Sequence, residues 1–353
     1  MTQTLLMLPG DGIGPEVLRE ARRVAESVAP DLAFEESLVG GASIDAHGDP
    51  LSDDTLARAA ASDAVLLGAV GGPKWANAAR DKRPEMGLLK LRKGLDVFAN
   101  LRPAYCFPAL ADASSLKREL VDGLDLMIVR ELTGGVYFGQ PRSIDTGPDG
   151  VKRGYDNSIY TEPEVTRVAD AAFDIAKGRS GRVVSVEKSN VMESGLFWRQ
   201  TVQARFDAEW TSSGVALSHM YADACAMELV RAPKQFDVIL AGNLFGDILS
   251  DEAAMLTGSI GMLPSASLGV KGTPGLFEPV HGSAPDIAGE GIANPCAAIL
   301  SLEMALRWSL GRAEAADAVY AAVSNALDAG ARTRDLGGAL STQAMGDAVL
   351  AQL

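Results

Sequence analysis

Leu5-Leu6-Met7-Leu8-Pro9-Gly10-Asp11-Gly12-Ile13-Gly14-Pro15 joins a short apolar run to a glycine-rich turn and then to a helix. Pro15 suits the first helical turn, where a backbone N–H has no intrahelical partner anyway. Val17, Leu18, Ala21, Val24 and Val28 then follow at helical spacing. The unit recurs. Residues 64–67 run into Gly68, residues 124–129 into Arg130, residues 183–186 into Glu187-Lys188, and residues 238–241 into Gly242-Asn243. Apolar runs alternating with helices predict an α/β sheet, and such sheets collect functional groups at the carboxyl ends of their strands.

Other helices announce themselves. Thr161 and Glu164 make a capping box ahead of the stripe Val165, Val168, Ala172 and Ile175, and the chain beyond residue 313 is Ala-rich and helical. Residues 137–160 differ, being Gly- and Pro-rich with strand-like pieces around Asp145-Thr146-Gly147-Pro148-Asp149-Gly150. A loose loop of that length is unusual inside a domain, so an extended arm is expected.

The 353 residues approach the size at which one core gives way to two domains. With 32 Lys and Arg against 46 Asp and Glu, the net charge of −14 argues against nucleic-acid or anionic-membrane partners, which attract positive charge. Three widely spaced cysteines, Cys106, Cys225 and Cys296, form no CxxC pair and read as reduced, buried thiols. No basic segment precedes the apolar run at Leu5, and the uncharged residues 253–270 contain three glycines and a proline, so neither a signal peptide nor a membrane span is expected. A cytoplasmic protein is the expectation.

Several motifs mislead or are missing. Gly10-x-Gly12-x-Gly14 lacks the G-x-G-x-x-G spacing of a dinucleotide fingerprint, and Gly72-Pro73-Lys74 is not a phosphate loop. With three histidines (His47, His219, His281) there is little material for a Ser-His-Asp triad or a histidine-rich metal site.

The remaining constellations are cationic and acidic. Arg92 lies in the run Leu88-Leu89-Lys90-Leu91-Arg92-Lys93-Gly94, Arg102 in the run Leu95 to Pro103 that follows it, and Arg130 ends an apolar strand. Arg130, leaving a buried strand, needs an anion, which is either neighbouring Glu131 or a ligand carboxylate matched by the guanidinium fork. Asp247 and Asp251, four apart, share one helix face with no basic residue between Lys234 and Lys271. They are either a solvated acidic face or half of an oxygen-only site for Mg²⁺ or Mn²⁺, which Asp223 would complete. Lys188 is either a solvated strand end or a base, and Tyr137, among glycines, either packs or donates a proton.

The run Asn243-Leu244-Phe245-Gly246-Asp247-Ile248-Leu249-Ser250-Asp251-Glu252, continuing through Gly258-Ser259-Ile260-Gly261-Met262-Leu263-Pro264-Ser265-Ala266, resembles the signature of the isocitrate and isopropylmalate dehydrogenase family. The resemblance spans the chain from residues 8–14 to the C-terminal helices. Arg130-Glu131-Leu132-Thr133-Gly134-Gly135-Val136-Tyr137-Phe138-Gly139 and Pro84-Glu85-Met86-Gly87-Leu88-Leu89-Lys90-Leu91-Arg92 are most similar to the branch that acts on 3-isopropylmalate in leucine biosynthesis.

The resemblance implies a two-domain α/β fold with a central mixed sheet, distinct from the Rossmann fold. Residues 1–98 plus 256–353 would form the cofactor domain with both termini. Residues 99–255 would form the dimerisation and metal/substrate domain, with its arm at 137–160. It implies oxidative decarboxylation of (2R,3S)-3-isopropylmalate to 4-methyl-2-oxopentanoate and CO2, with NAD reduced and Mg²⁺ or Mn²⁺ required. Tyr137 and Lys188 match the catalytic pair. Asp223, Asp247 and Asp251 match the metal ligands, Asp223 also meeting substrate. Arg92, Arg102 and Arg130 would bind the dicarboxylate, while Leu88 and Leu89 enclose its isopropyl group. Ile13, Glu85, Glu278, His281, Gly282, Ser283, Ala284, Asp286 and Asn294 match the cofactor contacts, and the Asp286 carboxylate favours a ribose 2′-hydroxyl over a 2′-phosphate. A homodimer is implied, with Lys188 and Asp223 entering the partner subunit's site. The competing readings are a sister enzyme acting on D-malate, tartrate or homoisocitrate, and a silent NAD-binding regulatory subunit.

Overall fold

The computed structural model describes residues 2–353. The strands are β1 (Thr4–Gly10), β2 (Ala33–Glu36), β3 (Ala64–Ala69), β4 (Ala99–Tyr105), β5 (Asp125–Glu131), β6 (Ser143–Thr146), β7 (Lys152–Tyr155), β8 (Arg182–Glu187), β9 (Ala216–Tyr221), β10 (Val238–Ala241), β11 (Pro264–Leu268) and β12 (Gly275–Pro279). All five runs that open the sequence reading are strands. β3 and β10 are buried along their whole length, which explains their uninterrupted apolar sequence.

The chain forms two compact units. The first comprises the chain up to Val97, Tyr105–Gly123 and Ala254–Leu353. Its strands run in the order β2-β1-β3-β12-β11. Neighbours are parallel except β11, which lies antiparallel to β12, so the pairing is mixed. The helix Gly14–Val28 begins with its proline in the first turn and buries Val17, Leu18, Ala21 and Val24.

The second unit comprises Phe98–Ala104 and Leu124–Ala253. Its strand order is β4-β5-β10-β8-β9. β5, β10, β8 and β9 are parallel, with Ala241 in register with both Arg130 and Val186. Arg130, Gly242-Asn243 and Glu187-Lys188 therefore leave the sheet side by side at one edge. Thr161 and Glu164 close the expected capping box on helix Glu162–Lys177, whose Val165, Val168, Ala172 and Ile175 are buried. The arm is a two-stranded antiparallel ribbon of β6 and β7, with Ser143 opposite Tyr155 and Thr146 opposite Lys152.

Residues 99–255 do not all fall in one unit, because Tyr105–Gly123 belongs with the first. Aromatic packing accounts for this: Phe107 stacks on Tyr320 at 5.4 Å, Tyr105 meets the same ring edge-on, and Arg332 Nη2 donates to the Ala109 carbonyl at 2.8 Å. Among the described residues no helix is long and apolar enough to cross a membrane. The three cysteines are free and buried.

Candidate active site

In the second unit, the end of β5 delivers Arg130 to the helix Asn243–Met255. Arg130 is 5% exposed and gives Nε and Nη2 to Asn243 Oδ1 at 3.2 and 2.8 Å. Its Nη1 pairs with Asp247 Oδ1. The other Asp247 oxygen accepts from the Tyr137 hydroxyl at 2.9 Å, and Arg130 lies 5.6 Å from the centre of the Tyr137 ring. Burial, helped by this hydrogen bond to a carboxylate, raises the Tyr137 pKa, so the phenol keeps its proton at neutral pH. Glu131 turns away to the backbone N–H and hydroxyl of Thr133 and the N–H of Gly134.

The two acids one helical turn apart thus have counter-ions that nearby sequence does not supply. Arg102 Nη1 approaches Asp251 Oδ1 at 3.6 Å, and Arg102 Nε donates to Asn100 Oδ1 at 2.8 Å. Partial burial raises the Asp251 pKa, and Arg102 opposes the rise. Lys188 and Asp223 form their own ion pair, with Nζ 2.6 Å from Oδ1. That bond, more than any other influence, holds the exposed Asp223 below the usual carboxylate range. Among the described residues no three His, Cys, Asp or Glu side chains of this chain gather closely enough to hold a metal. Asp247 and Asp251 lie together, and Asp223 lies with Lys188 instead.

The loop that carries Lys188 is gripped twice. The Glu187 carboxylate, 2% exposed, accepts the Ser189 N–H and, at 3.1 Å, Arg199 Nη1. Gly195 lies so close that an added Cβ would come within 2.9 to 3.1 Å of the Lys188 backbone.

In the first unit, Arg92 Nη2 pairs with Glu278 Oε1 at 2.5 Å, so a residue expected at the cofactor holds one expected at the substrate. Leu88 and Leu89 lie half-buried on helix Pro84–Gly94, Leu88 against the core that includes Leu51, Val65 and Leu91. The Ile13 N–H donates to the Ser283 carbonyl at 2.9 Å, joining the glycine-rich turn to the loop after β12. Gly12 has φ of +59°, and a Cβ there would stand 1.9 Å from that carbonyl oxygen, so only glycine permits the approach. Glu85 and Gly282 are exposed.

A cavity of about 540 Å³ opens in this unit, lined by Ile13, His281, Ala284, Asp286 and Asn294 of the expected cofactor set. Burial lowers the His281 pKa, and its Nε2 is a buried nitrogen without a protein partner. Ser259, Arg334 and Asp335 also line the cavity, and sequence reasoning does not single them out. Asp335 Oδ2 accepts from Ser259 Oγ at 2.6 Å and Asn294 Nδ2 at 3.0 Å, which fixes the Asn294 amide. Asp11 is a second omission. Its buried carboxylate accepts the N–H groups of Gly41, Ala42 and Gly71, each at 2.8 Å, stapling two loops to the glycine-rich turn. Desolvation raises its pKa against the pull of those three bonds.

Residues 4–349 match the family model described as isocitrate/isopropylmalate dehydrogenase. The chain is 67% identical over 350 residues to the 3-isopropylmalate dehydrogenase of Caulobacter vibrioides, covering 99% of each. It is 58% identical to that of Chromohalobacter salexigens, again over 99% of both chains. Among solved structures, isocitrate dehydrogenase from Methylococcus capsulatus superposes with a TM-score of 0.87 at 31% identity, covering 99% of each chain. A beta-decarboxylating dehydrogenase from Thermococcus kodakarensis gives 0.84 at 36% identity, covering 99% of this chain and 96% of that one.

Proposed function

The chain belongs to the isocitrate/isopropylmalate dehydrogenase family, and on that premise we propose that it oxidises and decarboxylates 3-isopropylmalate to 4-methyl-2-oxopentanoate and CO2 in leucine biosynthesis, with NAD as hydride acceptor. The observation that carries this reading is the 67% identity, end to end, to a 3-isopropylmalate dehydrogenase. The biosynthetic role and the free, buried thiols favour a cytoplasmic setting.

The side chains fit the groups this chemistry needs. Asp247 and Asp251 offer only oxygen, as does Asp223, and oxygen donors suit Mg²⁺ or Mn²⁺. The cavity of about 540 Å³, with a buried His281 nitrogen lacking a protein partner and Asp286 at its wall, suits the adenosine half of NAD. When bound, the divalent cation would supply Lewis acidity at the substrate's 2-hydroxyl, and NAD would take the hydride from the carbon that bears it. Arg92, Arg102 and Arg130 are assigned to the substrate carboxylates, which they hold in reacting geometry. Leu88 and Leu89 are assigned to the isopropyl group. Lys188, once its ammonium has given up a proton, takes the hydroxyl proton, directly or through water. Loss of CO2 leaves electrons on the adjacent carbon, and the protonated Tyr137 hydroxyl delivers the proton that carbon needs.

A homodimer follows from the same assignments. Met227 and Val230 on helix Ala222–Arg231, Leu244 and Ile248 on helix Asn243–Met255, and Ile144 and Val151 of the arm are exposed apolar side chains suited to a second copy. Asp223 shares a helix face with Met227, which supports Asp223 and its partner Lys188 serving the neighbouring subunit's site.

The test follows reduced cofactor with purified protein, NAD⁺ and Mg²⁺ across a panel of 2-hydroxy dicarboxylates. 3-Isopropylmalate is expected to give the highest kcat/KM; a preference for D-malate with none for 3-isopropylmalate overturns the proposal.

A further inference from the structure

Arg130 is nearly inaccessible to solvent, and a guanidinium in such a place needs acceptors for its N–H groups. One of its acceptors, Asp247, belongs to the proposed metal site. Another, Asn243, is neutral. Asn243 Oδ1 takes both Nε and Nη2, and two bonds to one oxygen fix the plane of the guanidinium.

Asn243 is itself immobilised. It is 1% exposed, its Nδ2 donates to the Gly134 carbonyl at 3.2 Å, and its backbone N–H donates to the Tyr160 hydroxyl at 2.7 Å. Glycines seat the Tyr160 side chain: a Cβ added to Gly134 or Gly135 would come within 2.8 Å of its ring, and one added to Gly242 would stand 2.8 Å from its hydroxyl. Gly246 gives Arg130 its own passage, since a Cβ there would lie 2.7 Å from Arg130 Cγ. Trp198 packs on Tyr160, edge to face at 5.2 Å.

We infer that Asn243 is a positioning residue for carboxylate recognition, whose amide orients Arg130 with a neutral acceptor that stays in place when Asp247 turns to the cation. This rests on the proposed assignment of Arg130 to a substrate carboxylate. The amide matters by its chemistry as well as its shape. An aspartate of the same outline would set an anion against Arg130 and compete with the substrate's carboxylate. Its second oxygen would also face the Gly134 carbonyl with no proton between them.

Asn243→Asp, Asn243→Ala and Arg130→Lys would be compared in the full enzyme by KM for 3-isopropylmalate and for NAD, by calorimetric binding of the dicarboxylate with Mg²⁺, and by Tm. Both Asn243 variants are expected to raise the dicarboxylate KM and Kd by at least about tenfold, with the NAD KM changed by less than about twofold. If Arg130→Lys weakens the dicarboxylate and neither Asn243 variant does, the inference about Asn243 fails while the Arg130 assignment stands. If Arg130→Lys also leaves dicarboxylate binding unchanged, it is the Arg130 assignment that fails. Equal loss of NAD and dicarboxylate binding, or loss of fold in both Asn243 variants, reduces Asn243 to a structural part and overturns the inference.

Discussion

Lys188 Nζ lies 2.6 Å from Asp223 Oδ1, so the residue assigned as base and one assigned as metal ligand meet within a single chain. The pair leaves the sheet from neighbouring parallel strands, Lys188 after β8 and Asp223 just past β9, which fixes their spacing through the register Glu187 to Tyr221. Replacing Lys188 by Ala should remove the proton acceptor and leave the arginines intact. We expect kcat to fall by about 10²- to 10⁴-fold with the Kd for 3-isopropylmalate little changed. Single-turnover kinetics beside calorimetry separates the two effects, and near-wild-type turnover would remove Lys188 from the mechanism.

Gly195 tests the same group from outside the chemistry. Its missing Cβ leaves room for the Lys188 backbone, so Gly195→Ala must displace either the helix Glu193–Glu209 or the lysine loop. The expected result is a fall in kcat of roughly tenfold or more with a dicarboxylate Kd close to wild type, since small misplacements of a reacting group are costly. Stopped-flow measurement of the first turnover checks it.

Asp286 should set cofactor choice. Asp286→Lys replaces an acceptor for a ribose hydroxyl with a cation attractive to a phosphate. The ratio of kcat/KM for NAD over NADP should drop by at least about tenfold, measured with saturating substrate. An unchanged ratio would place the adenosine elsewhere.

His281 gives stability a pH dependence of known sign. Burial lowers its pKa below the ordinary 6.5, against the pull of Asp335. The folded state therefore binds fewer protons than the unfolded one. Its contribution is full above the ordinary imidazole value and is lost as pH falls through that value towards the lower folded pKa. Between about pH 7 and pH 5, Tm should fall more steeply in the wild type than in His281→Asn. Identical slopes would mean that His281 is not desolvated.

How much was legible in the sequence depended on whether the determinant was local. The runs at β3, β5, β8 and β10 were readable because strands buried on both faces need continuous apolar side chains. β4, with Arg102 and Pro103 inside it, and β11, with two serines among five residues, carry no such pattern. Tertiary pairing makes them strands. Among the site residues, the spacing of Asp247 and Asp251 revealed a shared helix face, whereas the Arg130 counter-ion lies 117 residues from it in sequence and no local pattern announces it. Asp11 and Asn243 were present in quoted motifs, but their roles appear only when Gly41, Gly71, Gly134 and Tyr160 are brought to them by the fold.

The self-matched charges have a consequence for what can enter. Arg92 with Glu278, Arg102 with Asp251, Arg130 with Asp247 and Lys188 with Asp223 are four internal couples. At Arg102–Asp251 and Arg130–Asp247 a lone anion must pull the guanidinium from its carboxylate, and a lone cation must pull the carboxylate from its guanidinium, each leaving a partner unmatched. A ligand arriving as a chelate of dicarboxylate and divalent cation replaces both halves of a couple at once and strands neither. On these assignments we expect the resting pairs to hold chloride or free Mg²⁺ weakly and the dicarboxylate–cation chelate far more strongly.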